Sequence, residues 1–346
     1  MKRIACCATF LFSFALLSSV SAATSDEFFK GKPLTVVVGN SVGGAQDDWA
    51  RFIARYLGKH IPGNPTIVVQ NMAGAGSIIA ANHIYNIAKP DGLILGLINP
   101  GIYTDQLLGA KEVRFDWQKF SWIGSPERID QVLFMRADGP YKTIEDIRKA
   151  AEPPKCASLA RNGLGYHLPK ILEEGIKAKF HMVLGYGGGG EMNLAIEKGE
   201  VHCRAGTVSA YVGREPTRTW AKNGFVRALA QSGATRYPKL PDVPTVYELM
   251  ETYKAPDAIK RVAKVLLSAG DLGRPFIAPP ATPADRVKTL RAAFSKTMSD
   301  PELLAEAKKR GWDIDLLPGD ELEKIAKEIM VQRPEVIERV KKLLEN

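Results

Sequence analysis

The chain has 346 residues and a formal charge of +9, from 47 Lys and Arg against 38 Asp and Glu. That length exceeds a typical single core and points to two domains. The basic residues are scattered, and those of the C-terminal helices (Lys308, Lys309, Arg310; Lys341, Lys342) are interleaved with Glu, which excludes the one-sided basic face of a nucleic-acid binder and leaves mild steering of anionic solutes.

Lys2 and Arg3 precede an apolar run, Ile4 to Val20, that closes on Val20-Ser21-Ala22 with Ala23 behind it. A positive start, a short apolar stretch and small residues at the cut read as a secretory signal cleaved after Ala22 or Ala23. The run falls short of the roughly 20 residues a spanning helix needs, and ends in polar Ser18, Ser19 and Ser21. Cys6 and Cys7 lie too early for a lipid-modified start. Removal of the first 22 residues leaves 324, lowers the charge to +7 and places the mature protein in the periplasm.

Strand-then-helix units follow. Leu34–Val38 is a continuous β-branched run, the pattern of a strand buried on both faces. It breaks at Gly39-Asn40-Ser41-Val42-Gly43-Gly44, and Trp49, Phe52, Ile53, Tyr56 and Leu57 then recur at helical spacing over about 45–59. The pattern repeats with a strand at 66–69, a loop at 71–76, a helix at 77–87, a strand at 93–98 and the loop Asn99-Pro100-Gly101. After a strand at 132–136, Asp138-Gly139-Pro140 is a strong turn and a candidate hinge. A second set begins there: helix 143–151, strand 156–160, a glycine-broken loop 162–165, helix 168–177, strand 181–185, loop 186–190, a helix to 198, then strands 201–206 and 226–231. A strand at 276–280 precedes a mostly helical end. Alternating β and α predicts two α/β lobes, each a mainly parallel sheet flanked by helices. The expected division is residues 1–22 as signal, 23–137 as the first part of lobe 1, 138–268 as lobe 2 and 269–346 as the return to lobe 1.

The mature chain keeps Cys156 and Cys203, as a disulfide or as two buried thiols; their spacing leaves both open. His60, His83, His167, His181 and His202 show no metal-ligand spacing, and no metal or other cofactor is expected.

Ligands of parallel α/β sheets sit beyond the carboxyl ends of the strands, where helix N-termini offer free N–H groups to anions and glycine lets the backbone approach closely. Gly39–Asp47, Ala73–Ser77 and Tyr186–Glu191 fit that description, and Asn99 stands at a fourth strand end. Asp47 and Asp48 complement a helix dipole, or meet a hydroxyl or amino group of a ligand. Arg161 and Arg204 lie near second-lobe loops, where an arginine would clamp a carboxylate or serve a surface ion pair. Gly39-Asn40-Ser41-Val42-Gly43 matches the GxSxG of a serine hydrolase. It follows the first strand of the mature chain, however, with nothing upstream to supply an oxyanion loop, so Ser41 is read as a binding residue and no catalysis is expected.

The segments LTVVVGNSVGGAQDDWAR, IVVQNMAGAGSIIAANHI and KPDGLILGL, with Tyr186-Gly187-Gly188-Gly189, Leu240–Thr245 and Ile277–Pro283, are similar in order and spacing to the substrate-binding proteins of tripartite tricarboxylate transporters, the Bug-type extracytoplasmic receptors. The resemblance covers essentially the whole mature chain. It implies a type II periplasmic binding protein, a Venus flytrap whose first lobe is built from both chain ends, that binds a small organic acid as a monomer and hands it to membrane transport subunits. Carried over residue by residue, it points to Asn40, Ser41, Gly43, Gly44 and Asp47, then to Gly74, Ala75, Gly76 and Ser77. In the second lobe it points to Ser158, Gly163, His167, Tyr186, Gly188 and Thr207. This chain departs from the pattern at Asn40-Ser41-Val42, at Leu159-Ala160-Arg161-Asn162 and in an added stretch around Tyr253–Gly273, which points to a substrate outside the family's common ligands. A ligand-sensing adaptor for a sensor kinase is the alternative role.

Overall fold

The computed structural model describes residues 28–345, so the signal segment lies outside the described residues. Eleven strands form two sheets among the described residues: β1 (Leu34–Val38), β2 (Ile67–Asn71), β3 (Ile94–Leu97), β4 (Ser121–Ser125), β5 (Gln131–Arg136), β6 (Lys155–Ala157), β7 (His181–Val183), β8 (Cys203–Thr207), β9 (Val226–Gln231), β10 (Phe276–Ala278) and β11 (Leu317–Pro318). The first sheet has the order β11-β4-β10-β3-β1-β2 and the second β7-β6-β8-β5-β9. The first lobe thus takes strands from both ends of the chain, as the resemblance implies.

The sheets are mixed where the pattern predicts mainly parallel ones. β1 runs parallel to β2 and β3, whereas β10 is antiparallel to β3 and β4, and β11 is antiparallel to β4. In the second sheet β6 is parallel to β7 and β8, while β5 is antiparallel to β8 and β9. The antiparallel members are those next to the crossings between lobes. Cys156 and Cys203 are register partners on β6 and β8, both buried, both free thiols.

The first crossing lies earlier than the Asp138–Pro140 turn, because β5 already pairs within the second sheet. The chain changes lobes at Pro126–Asp130 and returns around Gly273–Pro275. These segments are bolted together. Glu127 and Arg274 form a buried ion pair at 2.6 Å, Ser125 Oγ accepts from Arg274 N at 2.8 Å, and Ile129 N donates to Gly270 O at 2.8 Å.

Three apolar clusters follow from the layers. Val36 and Val38 meet Trp49, Phe52, Phe276 and Phe294 on one face of the first sheet. Val132 and Phe134 meet Met192, Ile196, Tyr211 and Trp220 on one face of the second. The third cluster is continuous from Val37 and Trp122 in the first lobe to Leu133 and Leu172 in the second. It is continuous because of the helix Asp257–Leu272, which packs on helix Leu164–Ile176 of the second lobe and on helices Gly319–Met330 and Pro334–Glu345 of the first. This helix occupies the stretch read as an addition to the family's pattern.

Candidate functional site

Four helices start directly from strand-end loops, and none carries a side-chain cap. Ala45–Leu57, Leu164–Ile176 and Gly189–Glu197 begin behind Gly44, Gly163 and Gly188, and Ile78–Asn86 begins behind Ser77. Elsewhere Thr143, Thr245 and Asp300 cap their helices, as Thr207 does at the end of β8, while the helices behind Pro216, Pro256, Pro283 and Pro318 start on proline without a side-chain cap. A capping oxygen would occupy N–H groups that an uncapped start leaves for water or an anion, and glycine at this position costs only a few tenths of a kcal/mol.

The first loop is shaped from behind. Asp47 is 2% exposed, and its carboxylate accepts from Gly43 N (2.9 Å), Asn71 Nδ2 (2.9 Å) and Arg51 Nε (3.0 Å). Burial raises its pKa, but the hydrogen bonds from Arg51, Gly43 and Asn71 outweigh that and hold it below the ordinary value. Asn71 Nδ2 also donates to Asn40 O at 2.9 Å. Asp47 therefore faces inward and sets the loop's shape, and does not reach toward a ligand. Ser41 and Gly43 are exposed, and Asn40 and Gly44 half-buried.

In the second loop, Gly74, Ala75, Gly76 and Ser77 all have positive φ, between 45° and 140°. For Ala75 and Ser77, which carry a Cβ, this conformation costs on the order of 1–3 kcal/mol each. Ser77 offsets part of it: fully buried, it donates from Oγ to Gly39 O (3.0 Å) and accepts from Asn99 N (3.1 Å). Asn99 in turn accepts from Gly101 N at 2.9 Å. Ser77 and Asn99 thus splice three strand-end loops together and do not stand free in a cleft.

The second lobe reaches across at Asn162. Its Nδ2 donates to Asp105 at 2.9 Å, and a Cβ placed on Gly76 would lie 2.5 Å from that nitrogen. Asp105 has its pKa raised by burial, with Asn162 pulling the other way. On another edge Arg214 pairs with Asp48 at 3.1 Å and lies over Trp312, while Tyr237 and Lys239 engage Asp313. The lobes are closed on each other.

Two sequence candidates fall outside this arrangement. Arg161 donates from Nη1 to Leu344 O at 2.6 Å and so belongs to the contact with the C-terminal helix. His167 is fully buried, with Leu266 of the interlobe helix close by, and neither ring nitrogen has a hydrogen-bond partner among the described residues. Its position in the apolar stripe Leu164, Leu168, Ile171 is the signal that marks it as core. Thr207 is occupied as a cap, accepting from Ala210 N at 3.2 Å. Ser158 is buried at the end of β6, Gly163 caps its helix, Gly188 opens to free space, and Tyr186 is half-buried against the second-lobe core. The hydroxyl of Ser41 has no histidine partner among the described residues: His60 meets Asp300 and His202 accepts from Lys155 N.

A separate groove of about 810 Å³ on the outer flank is lined by Arg51, Arg55, Lys59 and Arg310. Each of these cations is already matched, to Asp47, Glu306, Asp300 and Glu306 respectively, so the groove has little free charge to offer an anion.

Comparison with known proteins agrees with this architecture. A protein of the tcbD–tcbE intergenic region of Pseudomonas sp. (strain P51) is 28% identical over 305 residues, covering 86% of this chain and 83% of that one. The periplasmic binding protein BugD superposes with a TM-score of 0.70 at 22% identity, covering 91% of this chain and 98% of that one. MatC from Rhodopseudomonas palustris, solved with bound malate, gives 0.68 at 21% identity, covering 91% and 100%. These structures share the fold. The model of the tripartite tricarboxylate transporter family receptor matches residues 50–342, and the chain belongs to that family.

Proposed function

We propose that this receptor is exported to the periplasm, holds a small organic carboxylate between its lobes, and delivers it to the membrane subunits of a tripartite transporter without acting on it chemically. The observation that carries the reading is the set of uncapped helix starts at the strand-end loops, three of them behind glycine. Such starts favour a carboxylate through backbone N–H groups and the helix dipole. Val42, Leu159 and Leu184 are exposed on the same loops and offer contact to a carbon skeleton. Ligand binding would add its differential contacts to the closed form. The malate bound by MatC supports the chemical class.

The test is thermal unfolding of protein that has been denatured and refolded to strip ligand, screened against a library of organic acids. A true ligand at 100 times its Kd should add about 2.7 kcal/mol of stability. If no acid in the library shifts the transition, the carboxylate reading is wrong.

A further inference from the structure

Two thiols face each other inside the second sheet. Cys156 on β6 and Cys203 on β8 are register partners on neighbouring parallel strands. Partners in a ladder point to the same face of the sheet. Neighbouring strands lie about 4.8 Å apart, inside the roughly 4.4–6.8 Å that a disulfide asks of its Cα atoms. Both side chains are fully buried in the same apolar cluster. The Cys203 thiol makes a long contact, 3.5 Å, with Lys155 O, and burial, then the Cys156 thiol beside it, pushes its pKa up. Among the described residues no group of three or more His, Cys, Asp or Glu is placed to hold a metal, so the pair does not belong to such a set.

The finished lobe is a poor place for the two sulfurs to react. Thiol–disulfide exchange needs a thiolate with access to its partner, and burial denies the Cys203 sulfur both. Exchange therefore belongs to folding, before β8 is enclosed between β6 and β5. Between β6 and β8 the chain runs through helix Leu164–Ile176, β7 and helix Gly189–Glu197, so a bond would join segments far apart in sequence and take freedom from the unfolded chain.

We propose that Cys156 and Cys203 are a disulfide site: a chain that folds among reactive disulfides closes them into a bond between β6 and β8, and the finished lobe seals that bond from reductant. One thiolate attacks the disulfide of a glutathione or protein carrier, forms a mixed disulfide and releases one carrier thiol. The second thiolate then displaces the carrier's other sulfur. The chain gives up two protons and two electrons, and the carrier leaves fully reduced. The oxidising setting follows from the export reading, whereas the pairing rests on the sheet register and needs no ligand.

The test begins with the mature chain, whose cysteines are these two. It is unfolded, reduced, and refolded in oxidised and reduced glutathione; remaining thiols are then blocked with N-ethylmaleimide in denaturant and the intact protein is weighed. The expected product is about 2 Da lighter than the reduced chain, takes up no maleimide, and yields a peptide joining Cys156 to Cys203. Two maleimide additions, or bonds found only between two copies, overturn the proposal. A chain folded reduced and then given the same buffer should still take up two maleimides, and rapid closure there overturns the sealing. The oxidised chain should unfold at higher urea than the same chain with dithiothreitol, a difference absent from Cys156→Ser; equal wild-type midpoints would mean that the bond does not fit the native sheet. Should the chain not refold, the same weighing of protein recovered from a bacterial periplasm decides alone.

Discussion

His167 gives the receptor a measurable acid sensitivity. It is fully buried beside the interlobe helix, and burial pushes its pKa from 6.5 down to about 4. The folded protein thus keeps the ring neutral in a pH range where the unfolded chain takes up a proton. The stability tied to that neutrality is complete above pH 6.5 and is lost as the pH falls toward 4. Integrated over both states, the loss from pH 7 to pH 5 is about 1.8 kcal/mol. Asp130 works in the opposite sense: burial, then Asp271, pushes it up to about 6, so its contribution is present at pH 4 and is lost as the pH rises through 6. Over the same interval Asp130 returns about 1.3 kcal/mol on acidification, so the two effects largely offset each other. His167→Leu separates them. Leucine has nearly the volume of histidine, and neither ring nitrogen makes a well-formed hydrogen bond among the described residues, although the backbone of Leu266 and Arg161 lies close enough to pull the pKa back up in part. Urea unfolding followed by tryptophan fluorescence at pH 7, 6 and 5 should show the variant gaining about 1.8 kcal/mol on the wild type between the ends of that range. Parallel wild-type and variant curves would mean that the imidazole is not held neutral in the folded state, and would refute the reasoning.

Further outcomes follow from the site and the crossings. Asp47→Ala leaves the donors of Gly43, Asn71 and Arg51 without their acceptor; it should lower stability by about 2–3 kcal/mol and weaken ligand binding, and retained affinity in titration calorimetry would show that the loop holds its shape unaided. Glu127→Gln strands Arg274 as a buried charge and should cost about 3–5 kcal/mol in urea unfolding, whereas replacing both residues with apolar ones should recover much of the loss; a single-variant cost under about 1 kcal/mol would rule out a tight pair. Gly76→Ala meets both a φ of 61° and the Asn162 side chain, so it should loosen the closed form and raise the radius of gyration in small-angle scattering; an unchanged profile would argue against Asn162 as a closure contact.

Much of this architecture is legible from residue patterns, because it is written in local chemistry. The β-branched run of β1 and the glycines behind β1, β2, β3 and β7 locate elements and loops directly. Strand direction is not local. β4, with the sequence SWIGS, and β11, two residues long, have little pattern of their own and take their place from the partners beside them. The helix Leu164–Ile176 starts four residues before the expected 168 and carries Pro169 inside it, where the ring has no N–H to give the carbonyl of Gly165. At the site, glycine positions are readable, but which way a polar side chain turns is not. Asp47 and Ser77 look like ligand contacts and are loop braces, since their partners, Asn71 and Asn99, arrive from other strands. Arg204 reads equally as a carboxylate clamp or a surface ion pair, and the structure gives it neither acid nor surface: it is buried and donates to Gly189 O and Asn193 Oδ1.

The interlobe helix Asp257–Leu272 has a consequence for opening. Its side chains Ile259, Val262, Leu266 and Leu272 are buried, and they help join the cores of both lobes. Swinging the lobes apart would wet that surface, and each 100 Å² exposed costs about 2.5 kcal/mol. Every part of that surface an opening exposes biases the empty receptor toward the shut form and lowers the share of ligand binding free energy spent on closure. A docking partner that pulled at this helix would work on both lobes at once, since its two faces belong to one apolar cluster.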